Sequence, residues 1–307
     1  MNLHTFSTSQ ARTRSSGAQR PRLSVVTIAR NEELNVIPFL ASFLEIAHEV
    51  IIVDDGSIDD TVRLARDAST KVKVLVSPRL TGEGWGDQRT KGSQVASGDW
   101  LLHADMDMRL GPRLAREIPK AVSDPEKSAY RFRLMHFLLQ RRLRFGAPGR
   151  WNEPWLVRRG AAVWERPLHE RLRVLEPRKR IGQLAGRMWH INDSTWEARI
   201  NKGLAYARFE ADLMVKSGKR VGFADLFLRP LWVFFKGYGL LLGFLDGRMG
   251  LLHSLQSSWV VRTAAVLAWE KQNQRDRASL ESEYRRIRQE RLAGERPPVD
   301  SSGITSE

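Results

Sequence analysis

Cysteine is absent from the 307 residues, which excludes disulfides and thiolate metal sites and leaves a cytosolic location allowed. The N-terminus also lacks an apolar core long enough for a signal peptide. Residues 1–22 are rich in Ser, Thr, Gln and Arg, and they read as a disordered basic tail, with a mitochondrial presequence as the lesser alternative. The most apolar stretch, 223–245, is interrupted by Asp225, Arg229, Pro230 and Lys236. That makes it a poor transmembrane span, which needs about 20 nearly uncharged residues. Acidic residues are too few to balance the basic ones: 35 Asp and Glu face 50 Lys and Arg, a formal charge of +15. Such a balance points to anionic partners, whether nucleic acid, an acidic membrane surface or a phosphorylated substrate. A 42% hydrophobic content fits a folded chain with a substantial core, one large domain or two small ones.

Order is expected from Leu23. The run 23–28 reads as a strand, followed by Arg30-Asn31-Glu32-Glu33 and an apolar-periodic helix to about Ala47 with acidic residues in its first turn. The apolar run 50–53 ends in Asp54-Asp55-Gly56-Ser57, and a helix over about 59–68 follows, with Asp59 or Asp60 as N-cap. A third strand is expected at 72–76, a helix at about 87–96 and a fourth strand just before Asp105. Strands apolar on both faces that alternate with helices predict a parallel sheet covered on both sides, an α/β nucleotide-binding type of domain.

The carboxyl ends of such strands are where ligands bind. Strand one delivers Arg30 to Glu32, strand two Asp54 and Asp55, and strand four Asp105 and Asp107. An Asp-x-Asp pair at a strand end can hold a divalent cation through hard oxygen ligands, and the cation can hold a diphosphate. Two further motifs are missing. Strand one is not followed by Gly-x-Gly-x-x-Gly, and Lys91 lacks the preceding Gly of a P-loop, so neither a dinucleotide-binding fingerprint nor a P-loop is present.

The strings Leu23-Ser-Val-Val-Thr-Ile-Ala-Arg-Asn-Glu32, Ile52-Val-Asp-Asp-Gly-Ser-Ile-Asp-Asp-Thr61, Gln88-Arg89 and Gly98-Asp-Trp-Leu-Leu-His-Ala-Asp-Met-Asp107 resemble the family-2 glycosyltransferases of GT-A fold. Later blocks are similar to the bacterial lipopolysaccharide-core glucosyltransferase branch: Trp155-Leu-Val-Arg-Arg-Gly160, Arg166-Pro-Leu-His-Glu170, Phe235-Lys-Gly-Tyr238 and Gly243-Phe-Leu-Asp-Gly247. The resemblance implies an inverting transfer of a hexose from a nucleotide sugar, a UDP-sugar first, with Mn2+ or Mg2+ as cofactor. It also implies roles. The backbone at Ile28 and Ala29, together with Glu32 and Asp55, meets the donor nucleoside. Arg89 lies near the donor phosphates, although Thr90 replaces the usual neighbouring Asn. Asp105 faces the ribose and metal, and Asp107 and a distant His190 complete the metal site. Glu170 is the acceptor-side base, with His169 as the adjacent alternative. Met108 departs from the pattern, standing where many relatives have another acid.

The competing reading of Glu170 is a surface acid paired with Arg166 or Arg171, and that of His190 a hydrogen-bonded structural histidine. Trp151 and Trp155 are either a sugar-stacking wall or core aromatics. The expected division is a catalytic domain at 23–194, with a nucleotide-sugar half at 23–112 and an acceptor half at 113–194. A helical, membrane-associated region at 195–270 and a charged helix and tail at 271–307 follow. The aromatic-rich segment with Arg and Lys nearby fits a helix in the bilayer interface, and helices packed on the catalytic domain or in a dimer are the alternative. With the positive charge, this suggests peripheral attachment to the inner, cytoplasmic face of the cell membrane, where glycolipid acceptors lie. A polyprenyl-phosphate glycosyltransferase and a sugar nucleotidyltransferase are the alternative enzymes. A nucleic-acid partner is not expected, because the Trp and Phe residues concentrate in apolar segments instead of interleaving with basic ones.

Overall fold

The computed structural model describes residues 20–165, 170–191, 195–273 and 276–292. The expected tail up to residue 19, His169 and the terminal tail from 293 lie outside the described residues. The chain forms two compact units, one ending at Ser194 and the other starting at Thr195.

In the first unit the expected alternation is present: β1 (Leu23–Ala29), α1 (Glu33–Phe43), β2 (Glu49–Asp54), α2 (Thr61–Ala68), β3 (Val72–Val76), α3 (Trp85–Val95) and β4 (Trp100–His103). The short β5 (Met108–Leu110) and α4 (Pro112–Ala121) follow. Then come β6 (Ala129–Leu138), β7 (Arg141–Leu143), β8 (Asn152–Arg158), β9 (Ala162–Glu165), β10 (Arg171–Val174) and β11 (Ile181–Ile191). The sheet order is β3-β2-β1-β4-β8-β6-β11-β5, with β7 added to β6 and β9-β10 forming a separate antiparallel pair. The first four strands are parallel, whereas β8 runs against both β4 and β6. Because β1 lies between β2 and β4, the chain crosses over in opposite directions on its two sides. The carboxyl ends of these three strands therefore open onto a topological switch point.

Burial explains the apolar runs. Val25, Val26 and Val50 to Val53 are fully buried, since helices cover both faces. On one face Val36, Phe39, Leu40 and Phe43 of α1 pack with Leu114 and Ile118 of α4. The other face is closed by Ala96 after α3 and by Leu172 of β10. The expectation of strands apolar on both faces fails for β3: it is an edge strand, and Val76 is 49% exposed. Gly92 lets α3 lie close to the sheet, since a Cβ there would sit 2.6 Å from Val26 and 2.9 Å from Val53. This close approach sets the depth at which α3 carries Arg89.

At the amino ends of the strands a buried acid braces the sheet. Glu49 accepts hydrogen bonds from Ser24 Oγ (2.6 Å), Ser97 N (2.6 Å) and Lys73 Nζ (2.7 Å). Burial opposes its charge, but these donors outweigh burial and hold its pKa at about 2.

The second unit begins with α5 (Trp196–Lys216), capped by Thr195 Oγ1 accepting from Ala198 N at 3.1 Å. Two π-helical turns, Ala224–Leu228 and Lys236–Leu240, flank α6 (Arg229–Phe235). Then come α7 (Gly247–Asn273) and α8 (Arg277–Leu292). Helix α7 runs through the charged residues Glu270 and Lys271 to Asn273. Ala211 and Met214 of α5 form this unit's small core with Ala265 and Ala268 of α7. Phe223, Phe227, Trp232 and Phe235 are more than half exposed. Among the described residues no single helix is long and apolar enough to cross a membrane. One pair bent by 71°, Ala224–Leu240 with Gly243–Asn273, passes that test only together.

Candidate active site

The loops after β1 and β2 are stitched together before either meets a ligand. Asn31 adopts φ 55°, and its Oδ1 accepts from Ile58 N while its own N–H donates to Ser57 Oγ, both at 2.9 Å. Such a left-handed conformation suits Asn better than most residues. Glu32 N donates to Thr61 Oγ1 at 2.7 Å, and Asp59 Oδ1 accepts from Thr61 N at 3.1 Å, so Asp59 supplies the polar contact at the start of α2. Asp54 accepts from the backbone of Gly56 and Ser57, each at 3.0 Å, which makes it a turn residue. Asp55 is different. Its carboxylate accepts from Arg79 N and Arg79 Nε, both at 2.7 Å, and lies 3.6 Å from Arg30. The Ala29 carbonyl accepts from Asp55 N at 2.8 Å, which fixes Asp55 to the end of β1.

The Asp-x-Asp segment turns from β4 into β5. Between the two acids Met106 points into the core, as does Met108 in β5. An acid in place of Met108 would be buried in this packing, which gives the departure at that position a physical reason. Arg109 shapes the turn from within, donating to the carbonyls of Met106 (2.8 Å) and Met108 (2.7 Å) and to Asn35 Oδ1 (2.8 Å). Asn35 in turn donates to Glu32 at 2.8 Å, linking the first helix to the acidic loop.

Two clusters meet at this loop. In the first, Asp105, Asp107 and His190 place ligand atoms within 4.8 Å of one another, and His190 Nε2 lies 3.2 Å from Asp107 Oδ1. Residues from β11 and from the loop after β4 come together because β11 pairs with β5, setting His190 opposite Met108. Two carboxylate oxygens and an imidazole nitrogen form a donor set suited to Mn2+ or Mg2+, and the imidazole favours Mn2+.

The second cluster centres on Arg89, which is only 4% exposed. Its Nη2 donates to Asp105 at 2.5 Å and its Nε to Glu170 at 3.2 Å, and its guanidinium lies 5.0 Å over the Trp164 ring. Burial would release its proton more easily, but the two carboxylates raise its pKa still further. Glu170 is therefore tied to Arg89, across 81 residues of sequence; Arg166, weighed as its partner from sequence, lies outside the described residues. Beneath it His103 packs edge-on against Trp164 at 4.9 Å. Burial, aided by the charge of Arg89, pushes its pKa down to about 3 and keeps it neutral.

Trp155 is buried in the core and cannot serve as an open sugar wall, whereas Trp151 is 45% exposed and stacks on His136 at 5.5 Å. Arg79, Arg109, Trp164 and His136 were not singled out from sequence. Arg109 follows the acidic motif by two residues, but nothing in the sequence signals that it folds back onto the carbonyls of Met106 and Met108.

Residues 24–137 match the family described as glycosyl transferase family 2. An uncharacterized glycosyltransferase of Rickettsia typhi is 26% identical over 246 residues, covering 76% of this chain and 82% of that protein. The lipopolysaccharide core biosynthesis glycosyltransferase LpsC of Rhizobium meliloti is 27% identical over 257 residues, with 76% and 88% covered. Among solved structures, S. aureus TarS 1-349 aligns at a TM-score of 0.43 and 14% identity, covering 83% of this chain and 93% of that one. Over residues 24–137 the chain is therefore similar to the family 2 glycosyltransferases, and the two relatives similar over 76% of its length are both named as glycosyltransferases.

Proposed function

We propose that the protein is an inverting, metal-dependent hexosyltransferase that takes a hexose from a nucleotide sugar, a UDP-sugar first, and gives it to a glycolipid or cell-envelope glycan of the lipopolysaccharide-core kind. The observation that carries this reading is the Asp105, Asp107 and His190 cluster at the carboxyl edge of the sheet. The acceptor class is supported by the likeness to LpsC. On this reading residues 23–194 are the catalytic domain, with the donor half at 23–112 and the acceptor half at 113–194.

Asp107, Asp105 and His190 hold the divalent ion, which when bound neutralises charge developing on the leaving diphosphate. Asp55 and Glu32, with the backbone at Ile28 and Ala29, face the nucleoside. Glu170 takes the proton of the acceptor hydroxyl as its oxygen bonds to the anomeric carbon. The bond from that carbon to the diphosphate breaks in the same displacement, its electron pair leaving with the phosphate oxygen, so configuration inverts. Arg89 fixes the spacing of Asp105 and Glu170, the donor-side and acceptor-side acids. The test is a thermal-shift panel of UDP-, GDP- and dTDP-sugars with and without Mn2+. The UDP series should give the largest Mn2+-dependent shift, and no shift with any nucleotide sugar would sink the reading.

We further propose peripheral attachment to the inner face of the cell membrane through residues 195–270. Exposed Trp232, Phe235 and Phe227 stand near Arg229 and Lys236, which fits an interfacial helix attracted to anionic lipid. The full chain should float with phosphatidylglycerol-containing vesicles at low ionic strength. Recovery only in the soluble fraction would contradict it.

A further inference from the structure

His136 is a buried histidine that the proposed reaction does not use. It lies in β6, in direct parallel register with His190 of β11, so the two imidazoles project side by side from the same face of the sheet. Their Nδ1 atoms are 3.2 Å apart, and the rings lie 5.0 Å centroid to centroid. Both are more than nine-tenths buried, and Trp151 stacks on His136 at 5.5 Å. His190 is thus held between β6 and β5, with its other nitrogen, Nε2, turned to Asp107.

From this contact we infer that His136 is the positioning residue of the metal site, fixing the tautomer and ring orientation of His190. This rests on the reading that Asp105, Asp107 and His190 hold a divalent ion. A nitrogen that binds a metal must present its lone pair, so a His190 that ligates through Nε2 carries its proton on Nδ1. That proton needs an acceptor, and the Nδ1 of His136 lies at hydrogen-bond distance. His136 then carries its own proton on Nε2. Ligating histidines commonly donate their second N–H to a carboxylate or a carbonyl; here a second imidazole takes that place, seated by a stacked tryptophan.

The test is Mn2+ binding to the full chain, read from loss of the free-ion electron paramagnetic resonance signal, with and without UDP. His136→Phe keeps an aromatic ring against Trp151 but removes the acceptor, and it should weaken Mn2+ binding by roughly 10–100-fold. His136→Asn places an amide oxygen near the position of Nδ1 and should restore most of the affinity. His190→Ala should weaken binding at least as much as His136→Phe. Unchanged binding by His136→Phe, with His190→Ala impaired, overturns the inference and leaves the metal reading standing. So does equal weakness of His136→Phe and His136→Asn, which would reduce His136 to a packing role. A wild-type chain that binds no Mn2+ overturns both.

Discussion

Asp107→Asn should lower turnover by roughly 10²–10³-fold at saturating donor and Mn2+, the size of effect seen when one preorganised group that stabilises transition-state charge is removed. The substitution keeps shape and hydrogen-bonding capacity and removes one negative charge. Asp107 is 14% exposed and sits in a loop whose path is set by other contacts: Met106 and Met108 anchored in the core, and Arg109 hydrogen-bonded to their carbonyls. The fold should therefore survive, with a melting temperature close to that of the wild type. The Mn2+-dependent part of the donor thermal shift should vanish while the nucleotide-only part remains, because Asp55 and the β1 edge are untouched. Turnover within about threefold of the wild type would remove Asp107 from the ligand set.

The parallel half of the sheet was legible because its strands are continuous apolar runs ending in polar residues. Burial on both faces writes this pattern into 23–28 and 50–53 directly. The edge position of β3 was less visible, since Val72, Val74 and Val76 look equally apolar whether covered or not. Asp105 and Asp107 stood out as an Asp-x-Asp motif and His190 only through the family resemblance, and the structure brings the three together through the β5–β11 pairing. The partners of those residues were not legible. Arg89 meets Glu170 over 81 residues, and His136 meets His190 over 54, through a register that no local pattern encodes. Sequence proximity suggested Arg166 or Arg171 for Glu170, and tertiary packing brings Arg89 to it. Likewise the Met at 108, odd as a motif position, is ordinary as a core side chain that faces away from the site.

Arg89→Met should destabilise the protein by about 3 kcal/mol in denaturant unfolding, the lower end of the range for removing one partner of a buried ion pair. The lower end applies because the two acids left behind are not fully dry: the side chains of Asp105 and Glu170 are 30% and 18% exposed, and water can screen part of their repulsion. Methionine fills much of the arginine's volume under Trp164, so the loss reports charge rather than a cavity. Arg89→Lys keeps the charge but not the fork that reaches both acids, and it should fall between Met and wild type. The double variant Arg89→Met with Glu170→Gln should recover part of the stability, since it removes one of the two facing charges, and the cycle isolates the pair. Turnover should drop in Arg89→Met even at temperatures where the protein remains folded, because Asp105 and Glu170 lose the cation that sets their separation. A stability change under about 1 kcal/mol with near-normal turnover would show that Arg89 is not the brace between the donor-side and acceptor-side acids.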